Sequence, residues 1–294
     1  MRFTEPVFRA PQEADSLLVR GSQGCTHNQC NFCYMSRGHR YGAASPEQFE
    51  DELLFQRAAY PADTRVYIVG SDTFSLPASK LNVYAEIIHK HIPGVAEISI
   101  QGRLSGAQRK SLDELKGLSD AGIKHLYIGM ESGDEEALRL MNKGLTAQET
   151  LDQMRRLDEA GLEYTAQCIL GMRGRGFAQV SGAASAQLLN QAHPRRIMTT
   201  GLTVFPHAPL AEMVENGKFI EASEKEKVEE LLVFLEHLEV DTILDASHNL
   251  NPVHFEIQTP RHKDKVLAEL RNFLNRHSEE EIEQMVGRRF KRSV

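Results

Sequence analysis

Short runs of β-branched and apolar residues recur six times up to residue 204, and longer stretches with helical periodicity separate them. Strands that alternate with helices in this way form parallel sheets, because each helix returns the chain to the starting edge. The pattern therefore predicts an α/β fold of six βα units. The six predicted strands are Leu17–Arg20, Arg65–Val69, Glu97–Gln101, Lys124–Met130, Leu162–Leu170 and Ile197–Val204.

Polar and apolar residues alternate within these runs, so the two faces of the sheet differ. In the third strand, for example, Gln101 belongs to the polar set and Ile100 to the apolar set. A doubly wound sheet is apolar on both faces, whereas a barrel with a ligand-bearing lumen is apolar outside and polar inside. The alternation favours a partial (β/α)6 TIM-type barrel, with a doubly wound sheet as the alternative. We expect residues 1–215 to form this core and residues 216–294 to form a mainly helical C-terminal extension packed on it.

Glycine and capping residues mark several helix boundaries. Gly122 and Gly161 each follow a helical stretch and precede a strand, so we expect both to end a helix in the left-handed conformation. Ser223, followed three residues later by Glu226, is a capping-box sequence. It predicts an amphipathic cover helix over Ser223–Leu238.

The segment Asp245–Ile257 is rich in polar residues and is expected to be a loop. A role in substrate binding or in closing the barrel is one interpretation, and ordinary loop polarity is the other. The residues concerned are His248, Asn249, Asn251 and His254.

The composition argues against several classes of protein. A formal net charge of −7 opposes broad attraction to nucleic acid. No apolar run approaches the roughly 18 residues that cross a bilayer, and the N-terminus lacks a secretory signal. We therefore expect a cytoplasmic protein without a membrane or nucleic-acid partner, whose thiols are reduced or bind a metal. A local basic tail is expected to be merely solvated; it comprises Arg288, Arg289, Lys291 and Arg292.

Three of the four cysteines stand within nine residues, in the sequence GCTHNQCNFCY. Cys25, Cys30 and Cys33 have the spacing C-x4-C-x2-C, and thiolates are soft ligands for zinc and for iron–sulfur clusters. Three cysteines alone suit a [4Fe-4S] cluster with one iron open to a small ligand. A structural zinc site completed by His27 and a plain electron-transfer cluster are the alternatives. Cys168 falls on the apolar face of its strand, so we expect a buried core residue there.

The cysteine loop and the six βα units resemble the radical S-adenosylmethionine (SAM) superfamily, in the broad group that includes oxygen-independent coproporphyrinogen oxidases and methylthiotransferases. That family usually has the spacing C-x3-C-x2-C with an aromatic residue before the last cysteine. Here Phe32 is that aromatic residue, and one residue is added between the first two cysteines. The resemblance, which spans about Leu17 to Leu210, implies an enzyme that holds a [4Fe-4S] cluster on the three cysteines and binds SAM at the open iron.

Segments at the ends of successive strands carry the rest of the resemblance. YIVGSDTF looks like the Gly-Gly-Glu segment that receives the amino group of SAM, with Ser and Asp in place of Gly and Glu. IGMESG is similar to a fourth-strand segment whose Glu faces SAM, CILGMRGRG resembles the fifth-strand segment near the adenine, and LTVFPHAPL looks like the sixth-strand exit. The implied cofactor-binding residues are Phe32, Gly70, Ser71, Asp72, Glu131, Ile169, Gly171 and Phe205.

The resemblance also implies a reaction. An external electron donor such as flavodoxin or ferredoxin would reduce the cluster, and reductive cleavage of SAM would give a 5′-deoxyadenosyl radical that abstracts hydrogen from the substrate. A second cysteine group is missing and the first sixteen residues leave no room for a cobalamin domain, so we expect a small-molecule substrate. The resemblance does not decide whether the enzyme is an oxidoreductase, a lyase or a transferase. Candidate substrate residues in the lumen are Gln101, Arg103, Tyr127, Gln167 and Thr203.

Overall fold

The computed structural model describes residues 9–290, without the side chains of residues 288–290, so the predicted basic tail lies outside the described side chains. Eight strands form one sheet, in the order β1-β4-β5-β6-β7-β8-β9-β10, and β2 and β3 form a separate two-stranded ribbon. The strands are β1 (Leu17–Arg20), β2 (Ser22–Gln23), β3 (Gly42–Ala43), β4 (Val66–Val69), β5 (Ile98–Gly102), β6 (Ile123–Glu131), β7 (Glu163–Leu170), β8 (Arg196–Gly201), β9 (Thr242–Asp245) and β10 (Glu256–Thr259).

The large sheet is mostly parallel. β1 pairs with β4, β4 with β5, β5 with β6 and β8 with β9 in the parallel sense, whereas β10 runs antiparallel to β9. Every residue of β4 is buried, as expected for a strand inside a parallel sheet. The predicted α/β fold is confirmed, and β9 adds a parallel strand beyond the six that were predicted.

Helices occupy the connections between the parallel strands. Ser45, Ser111 and Ser223 cap three of them, each in a capping box with the residue three positions later. None of the helices in residues 9–290 is both long and apolar enough to span a membrane. The helices are α1 (Pro46–Arg57), α2 (Ala78–His91), α3 (Ser105–Gln108), α4 (Leu112–Asp120), α5 (Glu135–Leu140), α6 (Ala147–Glu159), α7 (Ala178–Leu189), α8 (Pro209–Glu215), α9 (Glu224–His237), α10 (Lys263–Arg276) and α11 (Glu279–Phe290).

The six predicted strands all exist, and each boundary differs by at most three residues from the prediction. Gly122 and Gly161 have φ angles of +91° and +68°, which confirms that both adopt the left-handed conformation just after a helix. The prediction of a loop over Asp245–Ile257 is correct between β9 and β10 but wrong at both ends, where strand residues lie.

The described chain divides into two compact units. The first comprises residues 9–28, 35–129 and 152–165, and the second comprises residues 29–34, 130–151 and 166–290. The first unit contains a small buried cluster, Tyr67, Val69 and Tyr127. The second contains an apolar cluster formed by Ala137, Met141, Met172, Leu202, Leu210 and Phe219. The boundary expected after residue 215 stays a prediction.

Candidate active site

The cysteine segment, residues 24–34, follows β2 and has no regular helix or strand. Cys25 and Cys33 are half-buried, Cys30 is buried, and none of the cysteines in the described chain forms a disulfide. Burial and the nearby Asp72 carboxylate raise the pKa of the Cys25 thiol. Residues 9–290 contain no group of three or more His, Cys, Asp or Glu already arranged to hold a metal ion. The donors available in this segment are soft thiols, which is the chemistry that an iron–sulfur cluster requires.

Asn31, between the second and third cysteines, fixes that part of the segment within the second unit. Its N–H donates to the carbonyl of Met141 (2.9 Å), and its Nδ2 donates to the carbonyl of Leu140 (2.8 Å). The N–H of Leu210 in turn donates to the carbonyl of Asn31 (2.9 Å). The end of α5 and the start of α8 therefore hold the backbone between Cys30 and Cys33.

Two of the predicted cofactor residues pack against an apolar cluster in the second unit, and a third contacts an aromatic ring. Phe32 and Ile169 are partly buried against the apolar cluster described above. The ring of Phe205 lies 4.5 Å from the ring of Tyr34, centroid to centroid. The structure thus places Phe32 and Ile169 against the same cluster.

Asp72 lies between β4 and the short 3-10 turn Thr73–Ser75, and its side chain is fully buried. Its carboxylate accepts hydrogen bonds from the N–H and hydroxyl of Thr26, with 3.1 Å to the nitrogen. It also accepts bonds from the Ser75 hydroxyl (2.7 Å) and the Arg103 N–H (3.0 Å). The predicted cofactor residue is therefore bonded to the cysteine segment itself.

Gly70 precedes this carboxylate at a position that only glycine fits. Its φ is +137°, and an added Cβ would lie 2.5 Å from the carbonyl oxygen of Ser22. Ser71, which follows it, is half-buried. The turn between β4 and Asp72 is thus packed closely against the β2 backbone.

Glu131 ends β6 with an unusual φ of +69°. Its Oε1 lies 2.5 Å from Nζ of Lys143, and the two side chains are 9% and 6% exposed. A buried carboxylate needs such a partner, because leaving water is costly for an isolated charge. The sequence prediction named Glu131 but not Lys143.

The end of β7 is held by charged residues of α9. The N–H of Gly171, whose φ is +84°, donates to Oε2 of Glu230 (2.8 Å). Burial raises the pKa of Glu230 to about 8. Nζ of Lys227 donates to the carbonyl of Leu202 (2.8 Å) and to the Glu224 carboxylate (2.6 Å). Helix α9, which is the predicted cover helix, therefore fixes the backbone after β7 and β8. The sequence did not predict this role for Glu224, Lys227 and Glu230.

The polar face predicted for β4–β6 exists, but its polar groups bond to one another. The Tyr67 hydroxyl donates to Oε1 of Gln101 (3.2 Å), and the Tyr67 and Tyr127 rings lie 5.2 Å apart. The Tyr127 hydroxyl donates to Oε1 of Glu13 (2.9 Å), which is fully buried and also paired with Arg65 (2.8 Å). Gln101 and Tyr127 are thus brought onto one face, where both have structural partners.

The remaining predicted substrate residues differ in exposure. Gln167 and Thr203 are half-buried in the second unit, and Arg103 is buried in the first. Cys168 is 3% exposed, as expected for a core residue. Burial raises the pKa of the Cys168 thiol well above its usual range.

The loop between β9 and β10 is attached to the end of β8. Asn251 is fully buried, and its Nδ2 donates to the carbonyl of Thr199 (2.8 Å). Nδ1 of His248 accepts a bond from the N–H of Leu250 (3.2 Å). Burial lowers the pKa of His248, so the ring is neutral near pH 7. A role of this loop toward the substrate stays a prediction.

The sequence also matches a protein-family model. A family model described as the radical SAM superfamily matches residues 19–185, which include the cysteine segment and strands β4–β7. No curated protein gives a significant match to the sequence.

Several solved enzyme structures share the fold, and two of them are described as radical SAM enzymes. The methyltransferase TsrM from Kitasatospora setae, solved with cobalamin and a [4Fe-4S] cluster, aligns with a TM-score of 0.56 and 18% identity over 68% of this chain and 39% of that chain. Coproporphyrinogen III oxidase (HemN) from Escherichia coli aligns with a TM-score of 0.55 and 17% identity over 74% and 50%. Methylornithine synthase (PylB) aligns with a TM-score of 0.52 and 16% identity over 77% and 65%. The chain thus spans less than two thirds of each of these proteins, and the likeness concerns the fold.

Proposed function

Because the chain belongs to the radical SAM superfamily, we propose that its cysteine segment holds a [4Fe-4S] cluster and that the enzyme cleaves SAM reductively to act on a small-molecule substrate. The observation that carries the proposal is the set of three cysteines within nine residues after β1, inside the matched region. When bound, the cluster and SAM supply the electron transfer and the radical chemistry. The protein's own residues bind, orient and shield them.

Cys25, Cys30 and Cys33 are the proposed cluster ligands. Three thiolates from one segment leave one iron of a four-iron cluster without a protein ligand, and SAM would take that position. The remaining cysteine, Cys168, is buried in β7, which favours a core role over a fourth ligand.

The proposed SAM site uses the ends of the parallel strands, where α/β folds usually bind ligands. Gly70 and Gly171 are turn glycines with positive φ, at which backbone can approach a ligand closely. Phe32, Ile169 and Phe205 would form apolar walls that exclude water from the reaction. The other proposed SAM contacts are Ser71 and Glu131, and Asp72 lies in the same turn as Ser71.

The substrate is proposed to be a small molecule that contacts Gln101, Arg103, Tyr127, Gln167 or Thr203. Gln167 and Thr203 are half-buried, and this partial exposure supports a role in contacting the substrate. The polar groups of Gln101 and Tyr127, in contrast, already have protein partners. We further propose a cytoplasmic enzyme reduced by an external donor such as flavodoxin or ferredoxin.

Metal analysis after anaerobic reconstitution tests the cluster. Wild type and Cys168→Ala should each bind about four iron and four sulfide per chain, and Cys30→Ala should not. One equivalent of zinc with no iron would contradict the proposal in favour of a structural metal site. SAM should change the electron paramagnetic resonance spectrum of the reduced cluster; an unchanged spectrum would instead indicate a plain electron carrier.

A further inference from the structure

Asp72 connects the end of β4 to the first part of the cysteine segment. Its carboxylate is fully buried and accepts from Thr26, the residue directly after Cys25, through both the N–H (3.1 Å) and the hydroxyl. Oδ2, the oxygen that receives both bonds, also lies 4.0 Å from Sγ of Cys25. The hydroxyl of Tyr41, a residue that follows the cysteine segment in the chain, also donates to the backbone carbonyl of Asp72 (3.2 Å).

The acceptor capacity of this carboxylate is filled by protein donors. An ionised carboxylate offers about four lone-pair positions. Oδ2 receives the two bonds from Thr26, and Oδ1 receives the Ser75 hydroxyl (2.7 Å) and the Arg103 N–H (3.0 Å). Binding the amino group of SAM would require Asp72 to give up one of these bonds inside a buried site.

We propose that Asp72 is a positioning residue that fixes Thr26, and through it Cys25, rather than a residue that binds SAM. This inference rests on the proposed function, since Cys25 is there a cluster ligand. The carboxylate joins three parts of the chain at one point, namely the cysteine segment, the turn after β4 and the end of β5. The position of Cys25 is thereby set before a cluster binds.

The negative charge beside Cys25 has an electrostatic consequence. Reduction adds one negative charge to a cluster, and a carboxylate 4.0 Å from a ligand sulfur opposes that addition. Asp72 therefore lowers the reduction potential of a cluster held by Cys25. A residue that served only the packing of the fold would not produce this shift.

Asp72→Asn is the informative substitution, since it keeps the size of the side chain. In either orientation the amide turns its NH₂ toward two of the four donors. Thr26→Val removes one donor and keeps Asp72, so it serves as a second variant if Asp72→Asn folds poorly. Asp63→Asn, at an exposed position, makes the same change of charge and is the matched control.

The first readout is hydrogen exchange at the Thr26 and Arg103 amides in the full-length apoprotein, which does not depend on the cluster. In Asp72→Asn, protection should fall at least tenfold at whichever of these two amides faces the NH₂ group, and in Asp63→Asn it should stay unchanged at both. Unchanged protection at both amides in Asp72→Asn would overturn the inference, whether or not the protein proves to be a radical SAM enzyme.

The second readout uses the reconstituted protein. The Asp72→Asn protein should release iron to a chelator severalfold faster than wild type, and its cluster should have a higher reduction potential. The double variant Asp72→Asn/Thr26→Val should release iron at nearly the same rate as Asp72→Asn alone, because both substitutions disrupt the same contact. A stable cluster of unchanged potential, combined with weaker SAM binding in Asp72→Asn alone, would show that Asp72 binds SAM and refute the inference. Absence of a cluster in wild type would refute the proposed function instead.

Discussion

Glu230 should make the protein less stable as the pH rises, and Glu230→Gln should remove that dependence. Burial is the main cause that raises the pKa of Glu230 from 4.5 to about 8; the nearby Asp134 charge adds to the effect, while the Gly171 N–H and Lys227 oppose it. Between these two pH values the folded protein keeps a proton that the unfolded chain releases. Unfolding is therefore increasingly favoured from about pH 4.5 to pH 8, and the effect is complete above pH 8.

The size of the effect follows from the shift. One pKa unit corresponds to about 1.4 kcal/mol, so the shift of Glu230 amounts to at most about 5 kcal/mol between pH 4.5 and pH 8. Glutamine has nearly the same shape, stays neutral and retains an oxygen for the Gly171 N–H. Relative to wild type, the Glu230→Gln protein should therefore gain several kcal/mol in unfolding free energy between pH 5 and pH 8.

Urea unfolding of the apoprotein, followed by circular dichroism at several pH values, measures this difference. Groups that titrate identically in both proteins cancel in the comparison. Glu229→Gln is the matched control, because the neighbouring side chain on α9 is only half-buried and should show a much smaller dependence. Parallel stability curves for wild type and Glu230→Gln would refute the assignment of a buried, proton-binding carboxylate.

Three further predictions concern buried contacts of the candidate site. Lys143→Met should lower the unfolding free energy in urea by about 3–5 kcal/mol, because Glu131 would be left as a buried unpaired charge; a loss below about 1 kcal/mol would contradict the ion pair. Gly70→Ala should destabilise by about 3 kcal/mol, since its Cβ would lie 2.5 Å from a backbone oxygen, whereas Gly217→Ala, with no atom within 4 Å, should lose only about 1 kcal/mol. Equal losses for the two would argue against the close approach. Tyr127→Phe should cost about 1–2 kcal/mol in thermal unfolding, because it removes a bond to a buried carboxylate. An unchanged melting temperature would rule out that structural role.

The strands that the sequence predicts are those whose own residues, or the turns next to them, have a recognisable pattern. β6 and β7 are long and alternate clearly between polar and apolar residues, and the glycines Gly122 and Gly161 mark the turns before them. The short strands β9 and β10 have no such signal, because TILD and EIQT are four residues each and mix polar with apolar side chains. Their pairing depends on neighbours that are distant in sequence.

The cysteine spacing of the candidate site could be read from the sequence, whereas the contacts that hold the site in place could not. The cysteine spacing is local and can be read directly. The bonds from Thr26 to Asp72 and from Gly171 to Glu230 join residues 46 and 59 positions apart, so they exist only once the fold brings them together. Tyr127 was predicted to contact the substrate from the polar face of the sheet. It does lie on that face, but its hydroxyl donates to the buried Glu13, a contact that the sequence pattern does not reveal.

The most direct test of the central claim is the cleavage of SAM itself. Wild type and Cys168→Ala, reconstituted anaerobically and reduced with dithionite in the presence of SAM, should form 5′-deoxyadenosine, measured by chromatography, and Cys30→Ala should form none. No 5′-deoxyadenosine from wild type despite an intact four-iron cluster would contradict the account.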